Sequence, residues 1–196
     1  MGDIRAFISL NFDHSVNQTI SAIQSKLKKS IGQFTLKWES TEKFHLTLRF
    51  LGNIEDWKVE GLCKDFGDLI FDFDRIKFQA NGIGFFPNPY HPNVMYIGLD
   101  EIGDHVHTLV EWIDGIMLKN SIEPDKKFTA HITLGRFRKD NKTRINEKKL
   151  ITFEPFNVEF DRFYLMESVL DSQGSKYFPV KQFVFKRIEQ SHLPVP

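Results

Sequence analysis

One four-residue pattern occurs twice in this chain, and it constrains the fold more than any other sequence feature. Segments 45–48 (His-Leu-Thr-Leu) and 131–134 (His-Ile-Thr-Leu) both read histidine, apolar residue, threonine, apolar residue. Successive side chains on a β-strand point to opposite faces, so each histidine shares a face with its threonine while the apolar pair shares the other. The pattern predicts two strands, each with one buried face and an imidazole and a hydroxyl roughly 7 Å apart on the other.

Hydrophobic periodicity along the rest of the chain predicts a mixture of strands and helices. Short apolar or alternating runs predict strands at 4–12, 34–39, 44–51, near 74–80, 93–99, 128–137, 155–168 and 176–187. Helical spacing of apolar residues predicts three helices, one from residue 13, one at about 55–70 and one around 106–117. The many glycines and prolines of segment 82–92 predict a loop.

This order of elements suggests two similar halves, each with helices on one side of a mainly antiparallel sheet. The predicted fold class is α+β, a bilobal arrangement whose two bare sheet faces meet across a central cleft while the helices lie outside. No low-complexity linker divides the chain. We therefore expect a single two-lobed domain over residues 1–196.

Charge and cysteine content narrow the classes of function. The 26 Lys and Arg residues balance 26 Asp and Glu residues, which argues against a protein that coats long duplexes but permits one that grips a single phosphate at a strand end. Cys63 is the single cysteine, so no intramolecular disulfide can form, and we interpret it as a small apolar residue in a helix. Neither a secretory signal nor a membrane span is recognisable, and the expected location is the cytoplasm.

The two histidine–threonine pairs suit chemistry on a phosphodiester. Facing each other across a cleft, they would supply two imidazoles and two hydroxyls around one small anion. A neutral imidazole can take a proton from water and an imidazolium can give one to the leaving oxygen, while hydroxyls donate to the non-bridging oxygens. A single histidine on a strand is usually only a partly buried polar residue, and threonine is a good strand former. Two matched copies are harder to explain in that way.

Four segments carry a resemblance to a known family. They are Phe44-His-Leu-Thr-Leu-Arg-Phe-Leu-Gly52, Gly82-Ile-Gly-Phe-Phe-Pro87, Phe128-Thr-Ala-His-Ile-Thr-Leu-Gly-Arg136, and Glu167-Ser-Val-Leu with Gly174-Ser-Lys-Tyr177. With them the chain resembles the bacterial and archaeal RNA 2′,3′-cyclic phosphodiesterases, long called 2′–5′ RNA ligases, of the two-histidine phosphoesterase superfamily. The resemblance runs over most of the chain, from Arg5-Ala-Phe-Ile-Ser-Leu through Tyr177.

The resemblance implies hydrolysis of an RNA 2′,3′-cyclic phosphate to a 2′-phosphate, without a metal or another cofactor. It implies that His45 is the proton donor and His131 the proton acceptor, and that Thr47, Thr133 and Arg136 bind the substrate phosphate. The partner would be RNA with a cyclic phosphate end, tRNA fragments included, with no membrane and no obligate protein partner. Two alternatives stay open: the same catalytic pair acting on 2′–5′ linkages or cyclic nucleotides, and a non-catalytic module that binds RNA ends.

Several residues keep two interpretations. Strict alternation places Arg136 on the apolar face of its strand, so either the strand bends or ends at Gly135, of which we favour the bend, or Arg136 is structural. The basic run formed by Arg136, Arg138, Lys139, Lys142, Arg144, Lys148 and Lys149 either steers an RNA backbone or is a solvated loop. The rings of Phe85, Phe86 and Tyr90 either stack on a terminal base or pack against their lobe. We interpret His91, His105 and His107 as surface residues.

Overall fold

A computed structural model describes residues 2–31, 36–69, 73–124, 127–138, 145, 147, 150–172 and 174–186. The strands are β1 (Asp3–Asn11), β2 (Leu36–Trp38), β3 (His45–Glu55), β4 (Ile76–Phe86), β5 (Val94–Ile102), β6 (His131–Phe137), β7 (Phe156–Phe160), β8 (Arg162–Asp171) and β9 (Gly174–Val184). The helices are α1 (His14–Ile31), α2 (Asp56–Gly67) and α3 (His105–Lys119), with a 3-10 turn at Thr41–Lys43.

The strands form two antiparallel sheets, which confirms the α+β, two-lobed prediction. The four-stranded sheet has the order β3-β1-β8-β9 and the five-stranded sheet the order β2-β6-β5-β4-β7. The lobes are not the two halves of the sequence, because the four-stranded sheet combines the first strand of the chain with the last two. β3 and β6 contact each other although they belong to different sheets. The two histidine–threonine patterns therefore come from strands at the boundary between the lobes.

The helices bury their apolar stripes at the spacing that the sequence predicts. On α1, Ile20, Ile23 and Leu27 are buried, and each fully buried aliphatic side chain contributes roughly 1.5–3 kcal/mol. The buried amide of Gln24 on the same helix donates to the carbonyls of Glu39, at 2.7 Å, and Leu134, at 3.0 Å. The five-stranded sheet is thereby held against α1 next to one of the two patterns.

Helices α2 and α3 pack together, and α2 also contacts β3 and β9 of the four-stranded sheet. A partly buried ion pair joins α3 to β3: the buried Arg49 donates from Nε and one terminal nitrogen to the two carboxylate oxygens of Asp114, at 2.6 and 2.7 Å. A second terminal nitrogen of Arg49 donates to the carbonyl of Leu48 at 3.0 Å. Fork-to-fork geometry of this kind is strong and directional, so it ties β3 firmly to a helix.

Two predictions about local structure are wrong, and a third misplaces where a strand begins. The chain from 82 to 86 is not a loop, because β4 continues through Phe86 with a bulge at Gly82, whose φ of 65° suits glycine. The predicted strand 155–168 is two strands, β7 in the five-stranded sheet and β8 in the four-stranded sheet, with Asp161 between them. The predicted strand 128–137 begins only at His131. Within the described ranges, no helix has the length and apolar character needed to cross a membrane.

Candidate active site

The two histidine–threonine patterns lie on β3 and β6 in the orientation that strand alternation requires. Leu46 and Leu48 on β3, and Ile132 and Leu134 on β6, belong to the hydrophobic core. The side chains of His45 and Thr47, and of His131 and Thr133, are half-buried on the opposite face of each strand. The space between these two faces is the cleft.

Both strands carry a β-bulge at the fourth residue of the pattern. On β3, Thr47 pairs with Ser9 and Arg49 with Ile8, so Leu48 has no partner of its own. On β6, Thr133 pairs with Tyr96 and Gly135 with Met95, so Leu134 is the extra residue. The two strands therefore share one backbone irregularity at the same place. A bulge of this kind re-aims the side chains that follow it.

The bulge on β6 explains the position of Arg136. After the extra residue Leu134, the alternation resumes one step later, so Arg136 is exposed while its neighbour Phe137 is buried in the core. Arg136 is thus on the same side of β6 as His131, although simple counting puts it on the other. A Cβ on Gly135 would lie only 3.1 Å from the carbonyl oxygen of Lys37 and 3.3 Å from the Cα of Trp38. Glycine is needed there so that β2 can pair with the bulged strand.

A backbone carbonyl fixes the tautomer of each histidine. The Nδ1 atom of His45 lies 2.7 Å from the carbonyl oxygen of Lys43, and the Nδ1 atom of His131 lies 2.8 Å from that of Thr129. A carbonyl oxygen can only accept, so each Nδ1 carries a proton and each Nε2 is the basic nitrogen of the neutral ring. The Nε2 atom of His45 lies 2.9 Å from the hydroxyl oxygen of Thr47, which donates to it when the imidazole is neutral.

Each imidazole stands between two aromatic rings of its own sheet. His45 lies 5.0 Å from the ring of Phe7 and 5.3 Å, edge to face, from the ring of Tyr177. His131 lies 4.9 Å from the ring of Phe86 and 5.4 Å from the ring of Tyr96. The Tyr96 ring also covers Gly84, where a Cβ would come within 2.3 Å of it. These walls reduce the contact of both imidazoles with water and limit how they can rotate.

Burial and nearby cations shift the titration of both histidines. The pKa of His45 is lowered from 6.5 to about 4, mainly because burial penalises the imidazolium; the hydrogen bond to Lys43 opposes the shift, and the charges of His131 and Arg136 add to it. Burial also lowers the pKa of His131, opposed by the bond to Thr129 and assisted by Arg136. The two imidazoles are therefore close enough to influence each other, and Arg136 acts on both.

Arg136 belongs to a small charged network at the cleft. Its Nε atom lies 3.4 Å from a carboxylate oxygen of Glu39. Burial raises the pKa of the Tyr177 hydroxyl; the negative charge of Glu39 raises it as well, while Arg136 lowers it. The five residues predicted from the sequence, His45, Thr47, His131, Thr133 and Arg136, thus surround one cleft, and its chemistry suits an anion that must exchange protons with two imidazoles.

The other residues singled out in the sequence lie outside this group, with one exception. Phe85 is in the core, Tyr90 is exposed, and only Phe86 reaches the cleft, where it stacks on Tyr96 at 4.3 Å. His91, His105 and His107 are exposed, as we interpreted them. Of the predicted basic run, Arg136 and Arg138 are described and Lys139, Lys142, Arg144, Lys148 and Lys149 lie outside the described residues.

Sequence reasoning did not assign a role to Phe7, Tyr96, Glu39 or Tyr177. Their places follow from cross-strand pairing, since Phe7 is on β1 and Tyr96 on β5, strands that flank β3 and β6. Phe7, Tyr96 and Tyr177 lie in the stretch that carries the family resemblance, which runs from Arg5 through Tyr177, and that resemblance was the available signal. Pairing partners cannot be read from a single strand, because they depend on register.

Comparison with known proteins identifies a family whose model matches most of this chain. The family model described as LigT like Phosphoesterase matches residues 10–96 and 97–177. The RNA 2′,3′-cyclic phosphodiesterase of Thermotoga maritima is 30% identical over 176 residues, which cover 89% of this chain and 91% of that protein. The enzyme of the same name from Archaeoglobus fulgidus is 29% identical over 181 residues, covering 92% of this chain and 99% of that one.

Solved structures show the same fold at lower identity. The chain matches a Thermus thermophilus protein with a TM-score of 0.77 at 23% identity, covering 93% of this chain and 98% of the other. It matches E. coli LigT complexed with 3′-AMP with a TM-score of 0.75 at 17% identity, again covering 93% and 98%. The family match spans both patterns and both sheets, and the chain therefore belongs to the LigT-like phosphoesterases.

Proposed function

We propose that this protein hydrolyses the 2′,3′-cyclic phosphate at the end of an RNA strand to a 2′-phosphate, without a metal ion, with residues 1–196 acting as one two-lobed domain. The observation that carries the proposal is the matched pair of imidazoles: each Nδ1 is held by a carbonyl, which leaves each Nε2 as the reactive nitrogen of one cleft. The curated relatives carry this activity in their names. RNA ends in the cytoplasm, tRNA fragments among them, are the proposed substrates.

In the proposed reaction, His131 and His45 divide the two proton transfers. The Nε2 atom of His131 takes a proton from a water molecule as the water oxygen attacks phosphorus. The bond between phosphorus and the ribose O3′ breaks, and the Nε2–H of His45 gives its proton to that oxygen. The products are a 2′-phosphate and a 3′-hydroxyl, and the two histidines return to their starting states by exchanging a proton with solvent. Each transfer contributes about 10²–10⁴-fold to the rate.

Thr47 links proton donation to phosphate binding. When His45 is neutral, the Thr47 hydroxyl donates to its Nε2 atom. When His45 is protonated, Nε2 no longer accepts, so the hydroxyl hydrogen is released to donate to a non-bridging phosphate oxygen. Thr133 occupies the equivalent place beside His131 and is proposed to hold the other non-bridging oxygen. Hydroxyls aimed at the place where negative charge accumulates stabilise the transition state.

Arg136 supplies the positive charge of the proposed site. In the free protein it disfavours protonation of both histidines. A bound phosphate carries a negative charge that offsets Arg136 and favours the imidazolium, so substrate binding raises the pKa of His45 toward the range in which it can act as an acid. The substrate itself thereby helps to charge the catalytic acid.

The test is incubation of the purified protein with an oligonucleotide that ends in a 2′,3′-cyclic phosphate, with EDTA present. We expect a product heavier by one water, with the phosphate assigned to the 2′ position by phosphorus–proton NMR couplings. The variants His45→Ala and His131→Ala should each lower turnover by about 10²-fold or more. The matched control is His107→Ala, which removes an exposed imidazole from α3. Full activity in either cleft variant would remove that histidine from the mechanism.

The same assay separates the alternatives. A panel of 2′–5′ dinucleotides and cyclic nucleotides identifies a preference for another ester. An intact cyclic phosphate after binding would instead support a non-catalytic RNA-end module. Two imidazoles with defined tautomers favour the enzyme, because a binding module has no use for two groups poised to exchange protons.

A further inference from the structure

We infer that Lys37 and Lys43 form a second anion site beside the catalytic cleft, and that it binds the internucleotide phosphate next to the cyclic phosphate of the RNA. The inference rests on the proposed function, since it extends the same substrate by one nucleotide. It assigns to the protein a means of choosing strand ends over free cyclic nucleotides.

Three separate elements bring the two lysines together. Lys37 is on β2, Lys43 ends the 3-10 turn, and Gly174 begins β9 in the other sheet. The ammonium nitrogens of Lys37 and Lys43 lie 3.2 and 4.0 Å from the point where a Cβ on Gly174 would stand. Two ammonium groups, with three donors each, therefore converge on one small region. Phosphate oxygens are strong acceptors for such donors and can accept from both groups at once.

The lysine pair adjoins the cleft through two connections. Lys37 is directly opposite Arg136 in the pairing of β2 with β6, so the two side chains are on the same face. Lys43 precedes His45 by two residues, and its backbone carbonyl accepts the hydrogen bond from the His45 Nδ1 atom. The charge of Arg136 in turn lowers the pKa of both histidines. An anion held by the lysines would thus lie beside the anion held in the cleft.

The charges around the lysines favour an anionic ligand. Among the residues that the structure describes, neither Lys37 nor Lys43 has a carboxylate within ion-pair distance, and the nearby Glu39 is engaged with Arg136 at 3.4 Å. Like charges directly opposite each other on paired strands are destabilising. A bound phosphate would relieve that repulsion. The charge of Lys43 also acts on the neighbouring carboxylate of Glu42, which accepts a hydrogen bond from the Ser40 hydroxyl. Counted against Glu39 and Glu42, the two lysines and Arg136 still leave one positive charge in excess.

The chemistry of an RNA end says which phosphate this is. In a strand that ends in a 2′,3′-cyclic phosphate, the next phosphate is attached to O5′ of the same terminal ribose. It is therefore separated from the reacting phosphorus by one ribose. The lysine pair is placed for such a neighbouring phosphate, because Lys37 lies beside Arg136 and Lys43 is two residues from His45. A cyclic mononucleotide with a free 5′-hydroxyl has no charge at that place and gains nothing from the site.

Three substrates with the same terminal nucleoside test the inference: the 2′,3′-cyclic mononucleotide with a 5′-hydroxyl, the same compound with a 5′-phosphate, and the dinucleotide. For the wild-type protein we expect kcat/KM to rise about tenfold from the first substrate to the other two. In the Lys37→Gln/Lys43→Gln double variant this ratio should fall toward one. The log–log salt slope for the dinucleotide should also become shallower, by about 0.7 per lost contact. The matched control is Lys26→Gln/Lys64→Gln, which also removes two positive charges, from exposed positions on α1 and α2.

The outcomes separate this inference from the proposed function. Hydrolysis of all three substrates, with the same ratio in the wild type and the double variant, would overturn the lysine site and leave the cyclic phosphodiesterase intact. A gain that needs the second nucleoside and is absent with the 5′-phosphate would assign the preference to base contacts, which also overturns it. Failure of the wild type to open any of the three cyclic phosphates would remove the proposed function and the lysine site with it.

Discussion

Acidification should destabilise this protein through His45, and the structure sets the size of the effect. The half-buried imidazole has its pKa lowered from 6.5 to about 4, so the folded state favours the neutral ring. Between these two values the unfolded chain binds more protons than the folded one, and stability is therefore lost as the pH falls. Each pKa unit corresponds to about 1.4 kcal/mol. The His45 contribution to the loss is then roughly 1.4 kcal/mol at about pH 5.5 and roughly 2.5 kcal/mol at about pH 4.5.

Urea unfolding of the wild type and of His45→Gln, at several pH values between about 7.5 and 4.5, measures this contribution. Protonation of carboxylates with lowered pKa values, such as Asp13 and Asp161, destabilises both proteins equally. Their contribution therefore cancels in the difference between the two free energies of unfolding. We expect the variant to lose less stability than the wild type below about pH 6.5, by the amounts given above. His91→Gln, in an exposed turn, is the control and should follow the wild type.

Two results would refute this reasoning. If the wild type and His45→Gln lost the same free energy of unfolding on acidification, the imidazole would not be desolvated in the folded state. A direct NMR titration of the His45 ring gives the second check. A midpoint near 6.5 in the folded protein would show that the aromatic walls formed by Phe7 and Tyr177 do not exclude water.

Three further predictions follow from the same contacts. The pH optimum of kcat/KM should lie below 6.5, because the pKa values of both histidines are lowered in the free protein. The alkaline limb of the kcat profile should lie at higher pH than that of the kcat/KM profile, because bound phosphate stabilises the imidazolium. Alkaline limbs at the same pH in the two profiles would contradict this. Asp114→Asn should lower the free energy of unfolding by about 3 kcal/mol, because Arg49 would stay buried without its counterion. Urea unfolding measures this change. An unchanged urea midpoint would show that the ion pair is not needed for stability. Gly135→Ala should lower the free energy of unfolding by about 1–2 kcal/mol and lower turnover, because the new Cβ displaces β2 from the bulged strand. Thermal unfolding and the cyclic phosphate assay would detect these effects. An unchanged melting temperature would mean that β2 can shift without loss of stability.

The bulges explain why two similar local sequences produce different surroundings. In each strand the residue after the bulge turns toward the protein interior. It is Arg49 on β3, where it meets Asp114, and Gly135 on β6, where it allows β2 to approach. The next residue is exposed on the cleft side in both, and it is Phe50 on β3 and Arg136 on β6. One backbone arrangement thus places an aromatic ring on one lobe and a cation on the other.

Much of the fold followed from local patterns. Helical spacing predicted α1, α2 and α3, and alternation predicted most of the strands, because periods of 3.6 and 2 are properties of the chain itself. The loop prediction for 82–92 failed over its first five residues because Gly82 supplies a bulge inside a strand, and glycine content alone does not distinguish a bulge from a turn. The prediction of a single strand at 155–168 was wrong because no local sequence signal indicates that the chain passes from one sheet to the other at Asp161.

The sequence by itself determined which four side chains share the cleft-facing sides of β3 and β6, because His45 with Thr47 and His131 with Thr133 obey a two-residue period. Tertiary structure decided everything that depends on pairing between distant strands. The bulge at Leu134 brings Arg136 to the side of His131, β1 and β9 bring Phe7 and Tyr177 against His45, and β2 brings Lys37 beside Arg136. Register and sheet order arise from the packing of the whole molecule, and they control the burial and charge that give each histidine its pKa.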